Sequence, residues 1–206
     1  MNEIIFKEIN KADYQKAIDY SQVGMHNDIY FDGKEKGMSS VYSKFFFFEE
    51  LNKSTGSIAA YYNNEFAGVL LFSIFGKTKI KLTKEEQDFL DKANNLRKNA
   101  KGIEDYVSKL DNAIDMYTKK EKPDGQLNFF VVNPNLNGKG IGTKIINEFK
   151  RQYSNMKVFL FTDDQCSFEF YEHRNFRKVY EGDTVLHLTR DINLKILLYD
   201  INTSDN

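Results

Sequence analysis

The residues best suited to chemistry lie in one stretch, Leu127 to Lys150, reading LNFFVVNPNLNGKGIGTKIINEFK. Leu127 to Val132 is an apolar run of β-branched and aromatic residues, which predicts a buried strand. Pro134 ends its ladder because proline has no N–H to donate. Gly138, Gly140 and Gly142 then occupy three of five positions, so the backbone can turn sharply and bring its amides close to a ligand. From Ile141 the spacing becomes helical, with Ile141, Ile145, Ile146 and Phe149 on one face. Strand, glycine-rich turn and helix N-terminus combine orphan amides with the positive end of a helix dipole. That combination holds a phosphate or a pyrophosphate.

Several kinds of protein build such a site. A Walker loop needs GxxxxGK[ST], and the Gly138-Lys139 pair of this stretch is followed by Gly140, not by Ser or Thr. A dinucleotide fold needs GxGxxG directly after the strand, whereas this loop reads GxGxG with Thr143 in place of the third glycine and five residues between Val132 and Gly138. Asp163 and Asp164, about 20 residues on, stand where a ribose-binding carboxylate would sit. That keeps dinucleotide binding open as a remote alternative.

Val132, Pro134, Gly138, Gly140, Ile141, Gly142 and Ile145 match V-x-P-x-x-[RQ]-G-x-G-[IA]-G-x-x-[LI], and Phe170 to Phe176 matches FYexxGF. In this order and separation the two motifs resemble those of the GNAT superfamily of N-acetyltransferases. The resemblance is specific over residues 126–179. It implies a mixed, mostly antiparallel α/β sheet flanked by helices. It also implies acetyl-coenzyme A as co-substrate, without a metal, and direct attack of a primary amine on the thioester in a ternary complex. The pyrophosphate would rest on the amides of Asn137, Gly138, Lys139, Gly140, Ile141, Gly142 and Thr143. The pantetheine arm would run beside Phe130, Val131 and Val132. Tyr171 would protonate the leaving thiolate. The acceptor would be a small-molecule or peptide amine, bound partly by residues 24–48, where Asp28, Asp32, Glu35, Tyr30 and Phe31 suit a cation. A non-catalytic acyl-coenzyme A binding or sensing module is the alternative.

The chain departs from the family pattern in places. Asn137 stands where the family has Arg or Gln, and Asn175 where it has Gly before Phe176. Asn tolerates the left-handed backbone such a turn needs. Asp164, seven residues before Tyr171, would repel a phosphate if it pointed inward. No general base is evident: Gln126 occupies the region where some relatives carry glutamate, leaving Asp124, His26, His173 or water. Cys166 has no recognisable His-Asp constellation and reads as a small buried residue.

The elements that position these residues follow from pattern. At 206 residues the chain fits a single acetyltransferase domain, 1–206. The net charge of −1 argues against nucleic acid as a partner. No apolar run approaches the ~20 residues of a membrane span. A lone cysteine and no signal peptide predict a cytoplasmic protein. Glu3–Ile9 predicts a strand, Asn10 or Asp13 caps a helix over Tyr14–Ser21, and Ser39 or Ser40 caps a second reaching Leu51. Ser57–Tyr62 and Glu65–Phe75 predict a hairpin through Asn63-Asn64. Phe89, Ala93, Leu96, Ala100, Ile103, Val107, Leu110, Ile114 and Tyr117 form a heptad stripe in a helical insertion at 77–124. This is one helix or two broken near Gly102, and it packs on its own domain, contacts a homodimer partner, or covers the acceptor site. Lys157–Thr162 predicts a strand and Asp163 or Asp164 caps the helix after it. Phe176–Tyr180 and Thr184–Leu188 predict a hairpin through Glu181-Gly182-Asp183, with Asn193–Asp200 as an edge strand.

Overall fold

The computed structural model describes residues 3–26, 37–98, 102–188 and 190–204. Among the described residues seven strands form one sheet: β1 (Ile4–Lys7), β2 (Gly56–Tyr62), β3 (Glu65–Ile74), β4 (Gly125–Val132), β5 (Lys157–Asp163), β6 (Arg177–His187) and β7 (Asp191–Asn202). Their order is β1-β2-β3-β4-β5-β7-β6. Every neighbouring pair is antiparallel except β4 and β5. The predicted β2–β3 hairpin forms through Asn63 and Asn64, both with positive φ (49° and 66°), the geometry of a primed turn.

Helices cover both faces. On one, α5 (Ile141–Gln152) buries Ile141, Ile145, Ile146 and Phe149 against Leu70, Phe72, Val158 and Leu160. Each such side chain contributes roughly 1.5–3 kcal/mol of transfer free energy. On the other face lie α1 (Tyr14–Gly24) and α2 (Met38–Lys53), packed on Val69, Leu71, Phe129 and Val131. The four phenylalanines of α2 divide among neighbours, as helical geometry demands. Phe47 meets Phe129 at 5.4 Å, Phe48 meets Phe89 at 5.9 Å, and Arg97 covers Phe45 at 5.1 Å. Asn10 accepts from Ala12 N in a short 3-10 turn that leads into α1. Ser39 and Ser40 lie inside α2, whose N-cap is Gly37, so neither serine caps it.

The insertion is two helices, α3 (Lys84–Lys98) and α4 (Glu104–Glu121). Gly102 lies between them with φ +97°, and its carbonyl accepts from His187 N (2.9 Å). The heptad stripe does not act as one seam. Phe89 packs with α2, Ala113 and Tyr117 pack on Phe159, Ile196 and Leu198, and Leu96 is 74 % exposed. Tyr117 Oη donates to the buried Asp200 carboxylate (2.8 Å), which also takes Nε of Arg177 (3.0 Å). No described helix is long and apolar enough to cross a membrane.

Two predicted elements differ. Residues 177–187 are one strand rather than two joined at Gly182: Glu181, Gly182 and Asp183 pair with Leu197, Ile196 and Lys195. The ladder to the 12-residue β7, reinforced by Lys195–Glu181 at 2.7 Å, outweighs the local turn signal. Consequently β7 is an interior strand between β5 and β6, not an edge. The short helix α6 (Glu169–Glu172) starts beyond Asp163 and Asp164; Asp163 caps a turn instead, and Asp164 accepts from Lys195 N of β7.

At Gly102 a side chain would place Cβ 1.8 Å from the His187 carbonyl oxygen at a positive φ. Gly102→Ala should therefore lower stability by about 2–4 kcal/mol. An unchanged urea midpoint would show that this crossing is not fixed by its backbone.

Candidate active site

Strands β4 and β5 pair only at Gly125↔Val158 and Gln126↔Phe159. Beyond that point β4 stays with β3 through Val132 and β5 with β7 through Asp163. The two strands diverge into a wedge whose walls carry unpaired backbone groups. The divergence begins at a bulge: Phe129 pairs with Leu71 and Leu127 with Phe72, leaving Asn128 as the extra residue. Its amide donates to Ser54 Oγ (2.8 Å) and Ser73 Oγ (2.7 Å), so this buried polar group is satisfied.

At the wide end of the wedge β4 passes into the glycine loop. Asn133 N donates to Ala67 O (2.8 Å), Asn133 Oδ1 accepts from Asn135 N (2.9 Å), and Pro134–Leu136 makes one 3-10 turn. Gly138 (φ +77°) and Gly140 (φ +68°) reverse the backbone, and nothing lies within 4 Å of where their side chains would be. The first helical bond of α5 is Lys144 N to Gly140 O (3.0 Å), so the amides of Ile141, Gly142 and Thr143 fall in the first turn, without a helical partner. Gly142 lets α5 close on Phe170 and Phe130, with Phe170 Cε2 3.0 Å from its would-be Cβ. Asn137, Gly138, Lys139 and Gly140 are exposed; Phe130, Val132 and Thr143 are half-buried; Val131 is buried on the far face.

The opposite wall carries α6. Tyr171 packs by its ring edge on Phe170 and Phe176, both at 5.4 Å. Burial, with a smaller contribution from Cys166, pushes its hydroxyl above the ordinary tyrosine range. Glu50 Oε2 is the sole sealed, unpartnered side-chain atom among the described residues. The Tyr171 hydroxyl makes no protein hydrogen bond among the described residues and is not sealed from solvent. Asn175 adopts φ +61°, so it does replace the family glycine. Asp163 Oδ1 caps the turn by accepting from Gln165 N (2.9 Å) and Cys166 N (3.2 Å). Asp164 bonds the β7 backbone at Lys195 N (3.0 Å). The structure also assembles residues that sequence spacing does not relate. Desolvation and the charge of Asp163 together raise the hydroxyls of Tyr42 on α2 and Tyr106 on α4. Burial and Asp163 raise the Cys166 thiol as well, which makes it a poor nucleophile.

The candidate bases fare unevenly. Asp124 clips β5 through Lys157 N (2.8 Å), His173 is exposed on the outside of α6, and Gln126 sits in the last paired position. Residues 27–36, with Asp28, Tyr30, Phe31, Asp32 and Glu35, lie outside the described residues. Glu50, which sequence reasoning passed over, is 1 % exposed on α2, with Oε1 2.7 Å from Lys53 Nζ and Oε2 unpartnered. Burial pushes its carboxyl up to about 7, against the opposing pull of Lys53.

A wedge in a mixed sheet, with a glycine loop at one lip and a tyrosine at the other, defines an acyltransferase architecture. The sequence profile of the Acetyltransferase (GNAT) family matches residues 23–176, and this chain belongs to that family. No curated protein matches its sequence at a significant level. Solved structures similar to it include Drosophila melanogaster polyamine N-acetyltransferase, which catalyses the formation of N-acetylagmatine. The TM-score there is 0.61 at 11 % identity over 97 % of this chain and all (100 %) of that one. The Corynebacterium glutamicum structure of histone acetyltransferase HPA2 and related acetyltransferase gives 0.56 at 13 % identity, over 97 % and 96 %. The Salmonella typhimurium protein yncA, with its cofactor acetyl-CoA, gives 0.51 at 11 %, over 100 % and 96 %. At these identities the likeness shows the fold.

Glu50 supplies a pH test of this region. Its folded pKa is raised above the unfolded value of 4.5, so its contribution to stability is present below about 4.5 and lost as pH rises through about 7. Glu50→Gln should therefore melt higher than wild type at pH 8 and not at pH 5, a difference on the order of 1–3 kcal/mol. Parallel melting curves for the two proteins across that window would refute a protonated buried carboxyl.

Proposed function

We propose that this protein is an N-acetyltransferase that moves an acetyl group from acetyl-coenzyme A to a primary amine within a ternary complex. The observation that carries the reading is the wedge, open between the exposed glycine loop and the unbonded Tyr171 hydroxyl. The pyrophosphate fits the amides from Asn137 to Thr143, where Gly138 and Gly140 leave room. The pantetheine arm fits the unpaired edge of β4 along Phe130, Val131 and Val132, since its amides can take up the backbone groups that β5 leaves. The amine nitrogen attacks the thioester carbonyl carbon, the C–S bond breaks, and Tyr171 Oη gives its proton to the departing sulfur. The new amide sheds its extra proton to water, and the tyrosinate is reprotonated from solvent. Burial keeps the hydroxyl protonated at neutral pH, so the proton is there to give.

Asp163, with Tyr42 and Tyr106 on α2 and α4, supports an acceptor that carries positive charge, held by a carboxylate and aromatic faces. The chain acts as one acetyltransferase domain in the cytoplasm. A non-catalytic coenzyme A sensor would share the loop but not the turnover.

Calorimetric titration with acetyl-coenzyme A, NAD and ATP should give micromolar binding of acetyl-coenzyme A alone. Gly140→Glu, which adds a carboxylate at φ +68°, should abolish it. Preference for NAD, or no binding, would overturn the reading. Tyr171→Phe should keep the affinity and lower kcat by about 10²- to 10⁴-fold. Binding without turnover of any amine in the wild type would leave the sensor.

A further inference from the structure

Arg174 follows Tyr171 by three residues and reaches back to the glycine-loop helix. Its Nε donates to Thr143 Oγ1 (3.0 Å), its Nη2 donates to the same oxygen, and its Nη1 donates to Phe170 O (2.8 Å). The guanidinium carbon lies over Phe170, 3.6 Å from the ring centroid, and that ring packs on Phe130 of β4 at 5.4 Å. All three protein acceptor contacts are neutral oxygens, and no carboxylate pairs with Arg174 among the described residues. Its pKa is lowered by desolvation with no compensating charge. Two of the five N–H donors of a guanidinium remain unused.

The placement also runs against the helix. Thr143 is the third residue of α5, so Arg174 sets a cation at the positive end of that dipole, where an anion belongs. A half-buried, unanswered cation beside orphan amides breaks two local rules at once, and such breaches mark functional positions. One group satisfies both: a phosphate. The chain lacks the family's Arg or Gln in the loop, having Asn137 there, so a cation delivered from the turn after α6 stands in for it.

We propose that Arg174 is the cationic half of the phosphate cradle, its free N–H groups and the first-turn amides of α5 gripping the same phosphate of the acyl-coenzyme A. This rests on the acetyl-coenzyme A reading above. It gives α6 a double duty, because the helix that brings Tyr171 to the thioester is also drawn to the nucleotide end of the donor. The competing role is a staple that merely ties α6 to α5 through Thr143.

The two roles separate on donors of decreasing phosphate content: acetyl-coenzyme A, its 3′-dephospho form, and S-acetylpantetheine, which has no phosphate. Arg174→Gln should weaken acetyl-coenzyme A binding by about 10- to 100-fold, the scale of a charge-assisted hydrogen bond. It should leave kcat/KM for S-acetylpantetheine within twofold of wild type and flatten the salt dependence of binding. Arg174→Lys should recover part of the affinity. An equal loss with the dephospho donor assigns the contact to the pyrophosphate; a loss confined to acetyl-coenzyme A would put Arg174 on the 3′-phosphate, away from the first-turn amides, and overturn the proposal. Equal impairment with all three donors, together with a lower melting temperature, would make Arg174 a staple and overturn the proposal. So would unchanged acetyl-coenzyme A affinity in Arg174→Gln. Failure of the wild type to bind acetyl-coenzyme A would instead remove the parent reading, so the two failures are distinct.

Discussion

The site depends on how early β4 and β5 part. Parallel strands with apolar walls ordinarily pair along their length, because each unpaired buried amide costs the free energy of a lost hydrogen bond. Here two residue pairs form and then stop. Asn128 accounts for the stop: its extra backbone length turns β4 away, and Ser54 and Ser73 hold its side chain. The β4 half of the sheet then carries the glycine loop, while the β5 half leads to α6 with Tyr171. Separation of the strands sets the glycine loop apart from Tyr171.

The two lips of the wedge differ in charge as well as in structure. The loop side offers helix amides, Lys139 and the guanidinium of Arg174. The far wall offers the Asp163 carboxylate, with Tyr42 and Tyr106 within its field. Such a distribution attracts ligands of opposite charge to opposite sides.

Much of this was legible in the sequence where a local backbone need dictates a residue type. The glycines at 138 and 140, Asn175 before Phe176, the Asn63-Asn64 turn and the apolar face of α5 all declare themselves within a few positions. Features set by distant partners did not. The Gly182 turn signal is sound locally, yet Ile196 and Leu197 lie across from it and make continued pairing better. The heptad stripe from Phe89 to Tyr117 reads as one seam, but Gly102 breaks it and sends its halves to different neighbours. Arg174 looks like an ordinary surface residue until Thr143, 31 positions away, is beside it. Nothing around Glu50 in sequence announces that its carboxyl is sealed.

The insertion ties the halves together. Helix α3 attaches to the β2–β4 side through Phe89 and the Arg97–Glu49 ion pair (2.9 Å). Helix α4 attaches to the β5–β7–β6 side through Tyr117, Asp200 and Arg177. A strap thus spans the seam where the sheet itself is held by only two residue pairs. The segment that bridges the two halves contains neither sequence motif, so changes of length within it would alter how the halves meet and leave the glycine loop and α6 as they are.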